Sequence, residues 1–286
     1  MRNHFIWKIR DKEIHLTRPQ LMGVLNLTPD SFSDGGRYFD PDLAVARAAR
    51  MVEEGADILD LGGESTRPGA YPVSAEEEWR RLEPVLRRLS GKISVPISID
   101  TTKPEVAEAA LRAGAHIVND VSGLAEGPRL AKVVRDFGAG LVLMHRRGNP
   151  ETMQSLTQYE DVVSEVLEEL RSSIDCATEA GVCPEQIVVD PGLGFAKTPE
   201  QNLEILSQLE KFHALGFPVL LGPSRKSFIG KITGREIGER EYGTAAIVAH
   251  AVRKGVQILR VHEVGAMRDV VRMTEAIEGA PHVRSF

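Results

Sequence analysis

Eight short apolar runs in this 286-residue chain end in side chains that can ionise or hydrogen-bond. In order these are Asn26, Asp60, Asp100, Asn119, His145, Asp190, the turn Ser224-Arg225-Lys226, and Arg260 with His262. One such residue after an apolar run would be an ordinary turn former, because Asn and Asp stabilise turns. Eight of them converging on one rim would make a binding surface. The groups divide by chemistry. Asp100, Asn119 and Asp190 supply acceptors and an amide, and Lys226 adds a donor. An apolar slot lined by them suits a flat heterocycle with adjacent ring N–H, amino and carbonyl groups, since a carboxylate accepts two parallel N–H bonds from such an edge. Arg67, Arg260 and His262, with Asn26 opposite, form a cationic set suited to phosphate oxygens, and the Asn26 oxygen can ligate magnesium.

The elements that must position these groups are legible in the same runs: LMGVLNL (21–27), DILDL (57–61), VPISID (95–100), HIVND (116–120), AGLVLMH (139–145), QIVVD (186–190), FPVLL (217–221) and VQILRVH (256–262). They are continuously apolar rather than alternating, as parallel strands covered on both faces are. Helical patterns follow them. Ser74-x-x-Glu77 and Thr198-Pro199-x-Gln201 read as capping boxes, and Thr102-x-x-Glu105 as another helix start. Asp40-Pro41 opens a helix with Leu43, Ala46, Ala49 and Met51 or Val52 on its inner face and Gly55 past its end. Eight strand–helix alternations predict a single (β/α)₈ TIM barrel over residues 1–286, with a short N-terminal hairpin over residues 5–17 closing the barrel bottom. A doubly wound open sheet is the rival, but the turn after the first strand reads NLTPDSFSDGG where that fold carries G-x-G-x-x-G.

Two loops, TPDSFSDGGRYFD and GGESTRPGAYPVS, exceed ordinary βα connections and carry Phe32 and Arg67 among flexible residues, the profile of mobile lids. No G-x-S-x-G elbow or H-E-x-x-H cluster points to covalent catalysis or zinc. His145 reads as a loop anchor, and His116, His213 and His250 as packed or surface residues. A net charge of −6 and pI near 5.8 argue against nucleic-acid or membrane-surface binding. The N-terminus shows no apolar signal region, no apolar run reaches membrane-spanning length, and Cys176 and Cys183 read as reduced thiols of a cytoplasmic protein.

The motifs MGVLNLTPDSFSDGG (22–36), DLGGESTRPGA (60–70), SIDT (98–101), VNDVSG (118–123), VVDPGLGF (188–195), GPSRKSFIG (222–230) and RVHEV (260–264) resemble the dihydropteroate synthase family, in the same order from about residue 20 to 275. The resemblance implies a barrel that joins para-aminobenzoate to a dihydropterin carrying a hydroxymethyl diphosphate, with Mg²⁺, in folate synthesis. It also implies a homodimer and a sulfonamide target. By similarity Asp100, Asn119, Asp190 and Lys226 would hold the pterin between walls from Val121 and Met144. Asn26, Arg67, Arg260 and His262 would take the diphosphate and its magnesium, with Asp34 assisting. Phe32, Thr66, Pro68, Phe195, Lys226 and Ser227 would form the para-aminobenzoate pocket, and Arg225 would pair with a buried carboxylate. Catalysis would turn on Asn26, Asp34, Arg67, Lys226 and Arg260.

Such chemistry needs no strong protein base. Neutralised diphosphate leaves, the electron-rich reduced pterin stabilises the methylene cation, and the aromatic amine attacks. Departures from the family pattern are Arg146 where many relatives carry Met, and Ala196 and Gln201 where Gly and His are frequent. Three other readings compete with this one. A pterin-binding methyltransferase module would have no use for the FSDGG, STRPG and SRKSF loops. A pterin-binding paralogue without synthase activity would have lost Arg67 or the lids. A barrel aldolase or decarboxylase would need its lysine in an apolar strand body, whereas Lys226 lies in a polar loop.

Overall fold

The computed structural model describes residues 5–28, 40–66 and 69–279. The chain begins with an antiparallel hairpin, β1 (Phe5–Ile9) and β2 (Lys12–Leu16). The eight apolar runs then become β3 (Gln20–Asn26), β4 (Ile58–Gly62), β5 (Ile97–Asp100), β6 (Ile117–Asp120), β7 (Gly140–Met144), β8 (Ile187–Asp190), β9 (Leu220–Leu221) and β10 (Ile258–Val261). They pair in parallel in the order β8-β7-β6-β5-β4-β3-β10-β9. A bridge between Val189 and Val219, with the Val189 N–H donating to the Pro218 carbonyl at 3.0 Å, draws the two edges together. The sheet is therefore a nearly closed (β/α)₈ barrel.

The helices are α1 (Pro41–Glu53), α2 (Ala75–Leu89), α3 (Pro104–Arg112), α4 (Arg129–Phe137), α5 (Val162–Glu179), α6 (Pro199–Ser207), α7 (Ser227–Thr233), α8 (Glu241–Arg253) and α9 (Val264–Gly279). Each strand from β3 to β8 is followed by one helix, β9 by the short α7 and then α8, and β10 by α9. Thr198 makes the full capping box with Gln201, which explains why α6 starts where it does. Ser74 caps α2 through the Glu77 N–H, but the Glu77 carboxylate turns away to Arg80 and Arg81 one turn on, so the reciprocal half of that box is absent. Thr102 does not cap α3; Lys103 occupies the N-cap position, and its ammonium reaches back to Glu64 and Glu78. On α1 the buried face is Ala44, Ala48 and Met51, while Leu43 and the expected Ala46 and Ala49 are exposed. The alanine-rich sequence lets several phases look alike, and the observed one sets the smallest side chains against the sheet.

Inside the barrel, alternate residues along each strand share the inner face. Near the strand starts these are Met22, Ile58, Ile117, Val142, Val188, Leu220 and Ile258, which pack with Trp7, Ile9 and Leu16 of the hairpin. The hairpin thus plugs the bottom. The Trp7 indole N–H donates to the Gln186 carbonyl at 2.7 Å, and the Arg10 N–H donates to Gly138 at 2.6 Å. Gly140 leaves the room this plug needs, since a Cβ there would lie 2.6 Å from Ile9 Cγ2. With an apolar floor filled from below, only the upper ends of the strands remain for chemistry.

Candidate active site

Higher on the strands, the same inward register turns polar. The paired positions Asn26↔Gly62, Asp60↔Ser98, Gly62↔Asp100, Asp100↔Asn119 and Met144↔Asp190 run around the barrel, and Arg260 lies beside Met22. Period-two alternation therefore aims Asn26, Asp60, Asp100, Asn119, Asp190 and Arg260 into one mouth. A Cβ at Gly62 would touch Asn26 Oδ1 and Asp100 Cβ, both at 3.6 Å, so these side chains border one space. Asp60, Asp100, Asn119 and Asp190 are all buried.

Arg260 ties the ring together. Its Nε donates to Asp60 Oδ2 at 2.6 Å and its Nη2 to Asp100 Oδ2 at 2.7 Å, while Asn119 Nδ2 donates to the same Asp60 oxygen at 3.1 Å. The heterocycle and phosphate sets of the sequence reading thus meet at this guanidinium. Asp60 is the group that reading left without a role, although it stands two residues after Ile58 on the inward face. Burial pushes the Asp100 carboxyl up to about 7, against the pull of Arg260, and the Asp190 carboxyl up to about 6. Burial works against the Arg260 charge too, but Asp60 and Asp100 outweigh it and hold the guanidinium above its ordinary range.

On the β8–β9 side Lys226 lies with its ammonium 4.1 Å from the centre of the Phe195 ring, a cation–π contact. Burial pushes that ammonium down to about 8, opposed by Asp190. Phe195, Val121 and Met144 come together with Met153 and Ala196 in one buried apolar cluster. Ser227 is exposed as the first residue of α7. Thr66 lines a cavity of about 250 Å³ shared with Val121, Lys103 and Arg146. His262 accepts or donates through Nδ1 to Ser224 Oγ at 2.8 Å. Arg225 pairs with Glu263, which is half-buried rather than fully buried as expected. His145 is the anchor its sequence context suggested, held between Glu169 and Lys197. Phe32, Asp34, Arg67 and Pro68 lie outside the described residues.

Among the described residues no three His, Cys, Asp or Glu side chains gather to hold a metal. Asn26 is partly exposed at the end of β3 and offers one hard oxygen to the mouth. That fits magnesium, which commonly takes one or two protein oxygens and fills its octahedron with substrate phosphates and water.

Residues 22–262 match the model of a family described as pterin binding enzyme. A dihydropteroate synthase of a Synechocystis species is 49% identical over 261 residues, covering 91% of this chain and 90% of that protein. The structure of the Xanthomonas albilineans dihydropteroate synthase with 4-aminobenzoic acid superposes with a TM-score of 0.91 at 42% identity, over 98% of this chain and 100% of that one. Another structure of a Xanthomonas albilineans enzyme, in complex with 7,8-dihydropteroate, gives a TM-score of 0.86 at 40% identity, over 96% and 100%.

Proposed function

The chain belongs to the pterin-binding enzyme family as a dihydropteroate synthase, and on that premise we propose how its barrel mouth carries the reaction. The enzyme is a transferase that condenses a hydroxymethyl-dihydropterin diphosphate with para-aminobenzoate, giving dihydropteroate and diphosphate. The observation that carries the assignment of roles is the buried ring of Asp100, Asn119 and Asp190, braced by Arg260 above an apolar floor. Asp100 and Asp190 accept the ring N–H and amino donors of the pterin, Asn119 adds an amide, and Val121 and Met144 supply apolar contact. Lys226 stands between this slot and the Phe195 ring, where the aromatic amine would lie. Thr66 would edge that pocket, and Ser227, at the first turn of α7 where backbone N–H groups lack helical partners, would take the carboxylate. Sulfonamides would compete for the same pocket.

Arg260 and His262 face the leaving group. The Asn26 oxygen would hold a magnesium ion, which supplies charge neutralisation for the departing diphosphate. The protein's own contribution is to align amine and methylene, to hold diphosphate charge at Arg260, and to keep water from the developing cation. No described side chain is asked to remove a proton before the amine attacks. Arg67, Phe32, Pro68 and Asp34 belong to this proposal on family likeness alone.

We also read the chain as one domain, acting as a cytoplasmic homodimer. Ile232, Ile237, Tyr242, Met273 and Ile277 are exposed along α7 to α9, apolar surface that a second copy would cover. Cys176 and Cys183 are unpaired. Among the described residues no helix is long and apolar enough to cross a membrane.

The direct test mixes the protein with the pterin diphosphate and Mg²⁺, with and without para-aminobenzoate. Dihydropteroate formed only when the amine is present supports the reading; pterin binding without condensation would reduce the protein to a binding paralogue. A pH series sharpens the site assignment. Asp190 titrates up at about 6 and Asp100 at about 7, and only their ionised forms accept two N–H bonds. Pterin affinity should therefore rise by about a thousandfold between about pH 5 and about pH 8, about tenfold of it from Asp190 and about a hundredfold from Asp100, with protons released on binding. Calorimetric affinities that stay flat across that range would remove the two carboxylates from the pterin site.

A further inference from the structure

The loop from Asp190 to Lys197 carries two groups of the proposed site, and its backbone is under constraint. Gly192, Gly194 and Ala196 lie at φ values of 70°, 81° and 50°. A Cβ at Gly192 would sit 2.0 Å from the His145 carbonyl oxygen, so the loop is pressed against the end of β7. Ala196 adopts the left-handed conformation without being glycine, which crowds its Cβ against the following carbonyl. Something must hold such a loop in place.

Lys197 does so. The residue is 3% exposed, yet no substrate contact is assigned to it. Its ammonium meets the Phe195 carbonyl at 3.0 Å, the Gly192 carbonyl at 3.1 Å and His145 Nδ1 at 2.9 Å. An ammonium has three protons and no acceptor, so these three partners saturate it. Because Nδ1 accepts, the imidazole carries its proton on Nε2 and donates to Glu169 Oε2 at 2.9 Å. Arg147 grips the other Glu169 oxygen from Nε at 2.9 Å and stacks 3.9 Å above the Tyr159 ring, which fixes Glu169 on α5.

We propose that Lys197 is a positioning residue for the synthase reaction: its ammonium, seated on His145 and through it on Glu169, locks the 190–197 loop so that the Phe195 ring and Asp190 carboxylate face Lys226. The inference rests on the synthase reading and adds to it a lock that touches neither substrate. The lock needs the charged form, because a neutral amine has two protons for three acceptors. Burial pushes the ammonium down to about 7; Asp190 and Glu169 pull it up, while Lys226 and Arg147 press it down. His145, pushed down to about 4 by burial, stays neutral. The loop therefore loosens on the alkaline side of neutrality.

The test compares wild type, Lys197→Met and Glu169→Gln by steady-state kinetics in both substrates across the neutral pH range, with thermal melting alongside. Lys197→Met keeps the stem and removes a buried charge. It should fold and raise KM for para-aminobenzoate by about tenfold with a smaller change in kcat. Glu169→Gln keeps the hydrogen bond to His145 but removes a charge that favours the ammonium, so the alkaline limb of the rate profile should move down by about half a pH unit. Glu169 is not among the charges that set Lys226, which are Asp190, Arg260 and Asp100 with the mutual push of Lys197, so that shift originates at Lys197. Wild-type KM values in a folded Lys197→Met protein overturn the proposal, as does an unmoved limb in Glu169→Gln if Lys197→Met fails to fold. A wild type that makes no dihydropteroate would instead sink the synthase reading beneath it.

Discussion

Arg260→Met is expected to lower condensation by at least a few hundredfold and to destabilise the fold as well. The guanidinium is the shared partner of Asp60 and Asp100, and Asp60 is fully buried. Removing one member of a buried ion pair costs about 3–5 kcal/mol, because the charge left behind has no compensation. The guanidinium's separate role of holding diphosphate charge is worth about 3–4 kcal/mol in the transition state, which at about 1.4 kcal/mol per tenfold is about two to three orders of magnitude in kcat/KM. Asn119 would lose its fixed orientation too, since the Asp60 oxygen it donates to is the one Arg260 holds. Arg260→Lys separates geometry from charge. An ammonium at the end of a flexible stem cannot replace a planar fork that reaches one carboxylate from Nε and another from Nη2. The lysine variant should therefore recover much of the melting temperature and little of the turnover. Wild-type turnover in Arg260→Lys would show that positive charge alone is needed and that the fork is incidental.

The parts of this site that could be read in the sequence share a physical origin. Asp100, Asn119, Asp190 and Arg260 close buried apolar runs, and a parallel barrel sends every strand end to one rim, so order along the chain becomes proximity in space. The hairpin expected over residues 5–17 finds its place for a related reason: Trp7, Ile9 and Leu16 need a surface to pack on, and the floor of the barrel is the one available. Contacts that depend on which side chain reaches which escaped. Asp60 looked like one strand-end carboxylate among several; its role as the joint between Asn119 and Arg260 comes from strand stagger around the barrel. Lys197 sits in a glycine-rich turn with no periodicity to mark it, and its partners are two carbonyls of its own loop and His145, which lies more than forty residues earlier in the chain. The inner face of α1 was misplaced because an alanine-rich helix leaves its phase open, and tertiary packing chose Ala44 and Ala48 over Leu43.

A second large effect is expected away from the chemistry, at Lys103→Met. Glu78 is fully buried on α2, and its one charge partner at hydrogen-bonding distance among the described ion pairs is the Lys103 ammonium at 2.6 Å, which also reaches Glu64 at 2.7 Å. The other Glu78 oxygen has no hydrogen-bond partner among the described residues. Burial already raises the Glu78 carboxyl, with Lys103 and, less strongly, the Thr101 hydroxyl holding it back, so that Lys103 is its one compensating charge. Without the ammonium the carboxylate is stranded, and the cost should be about 3–5 kcal/mol, or a melting temperature lower by about 10 °C. A carboxyl raised in the folded state binds its proton more tightly there than in the unfolded chain, so its contribution to stability falls as pH rises toward the folded pKa. Lys103→Met raises that value further. The variant should be closest to wild type in mild acid and fall behind progressively through neutrality. Adding Glu78→Gln should restore most of the loss, because the stranded charge is then gone. A single variant that melts with wild type at neutral pH would mean that water or Glu64 rearrangement compensates Glu78, and that the Lys103 bridge between the β4 loop and α2 contributes nothing measurable to the fold.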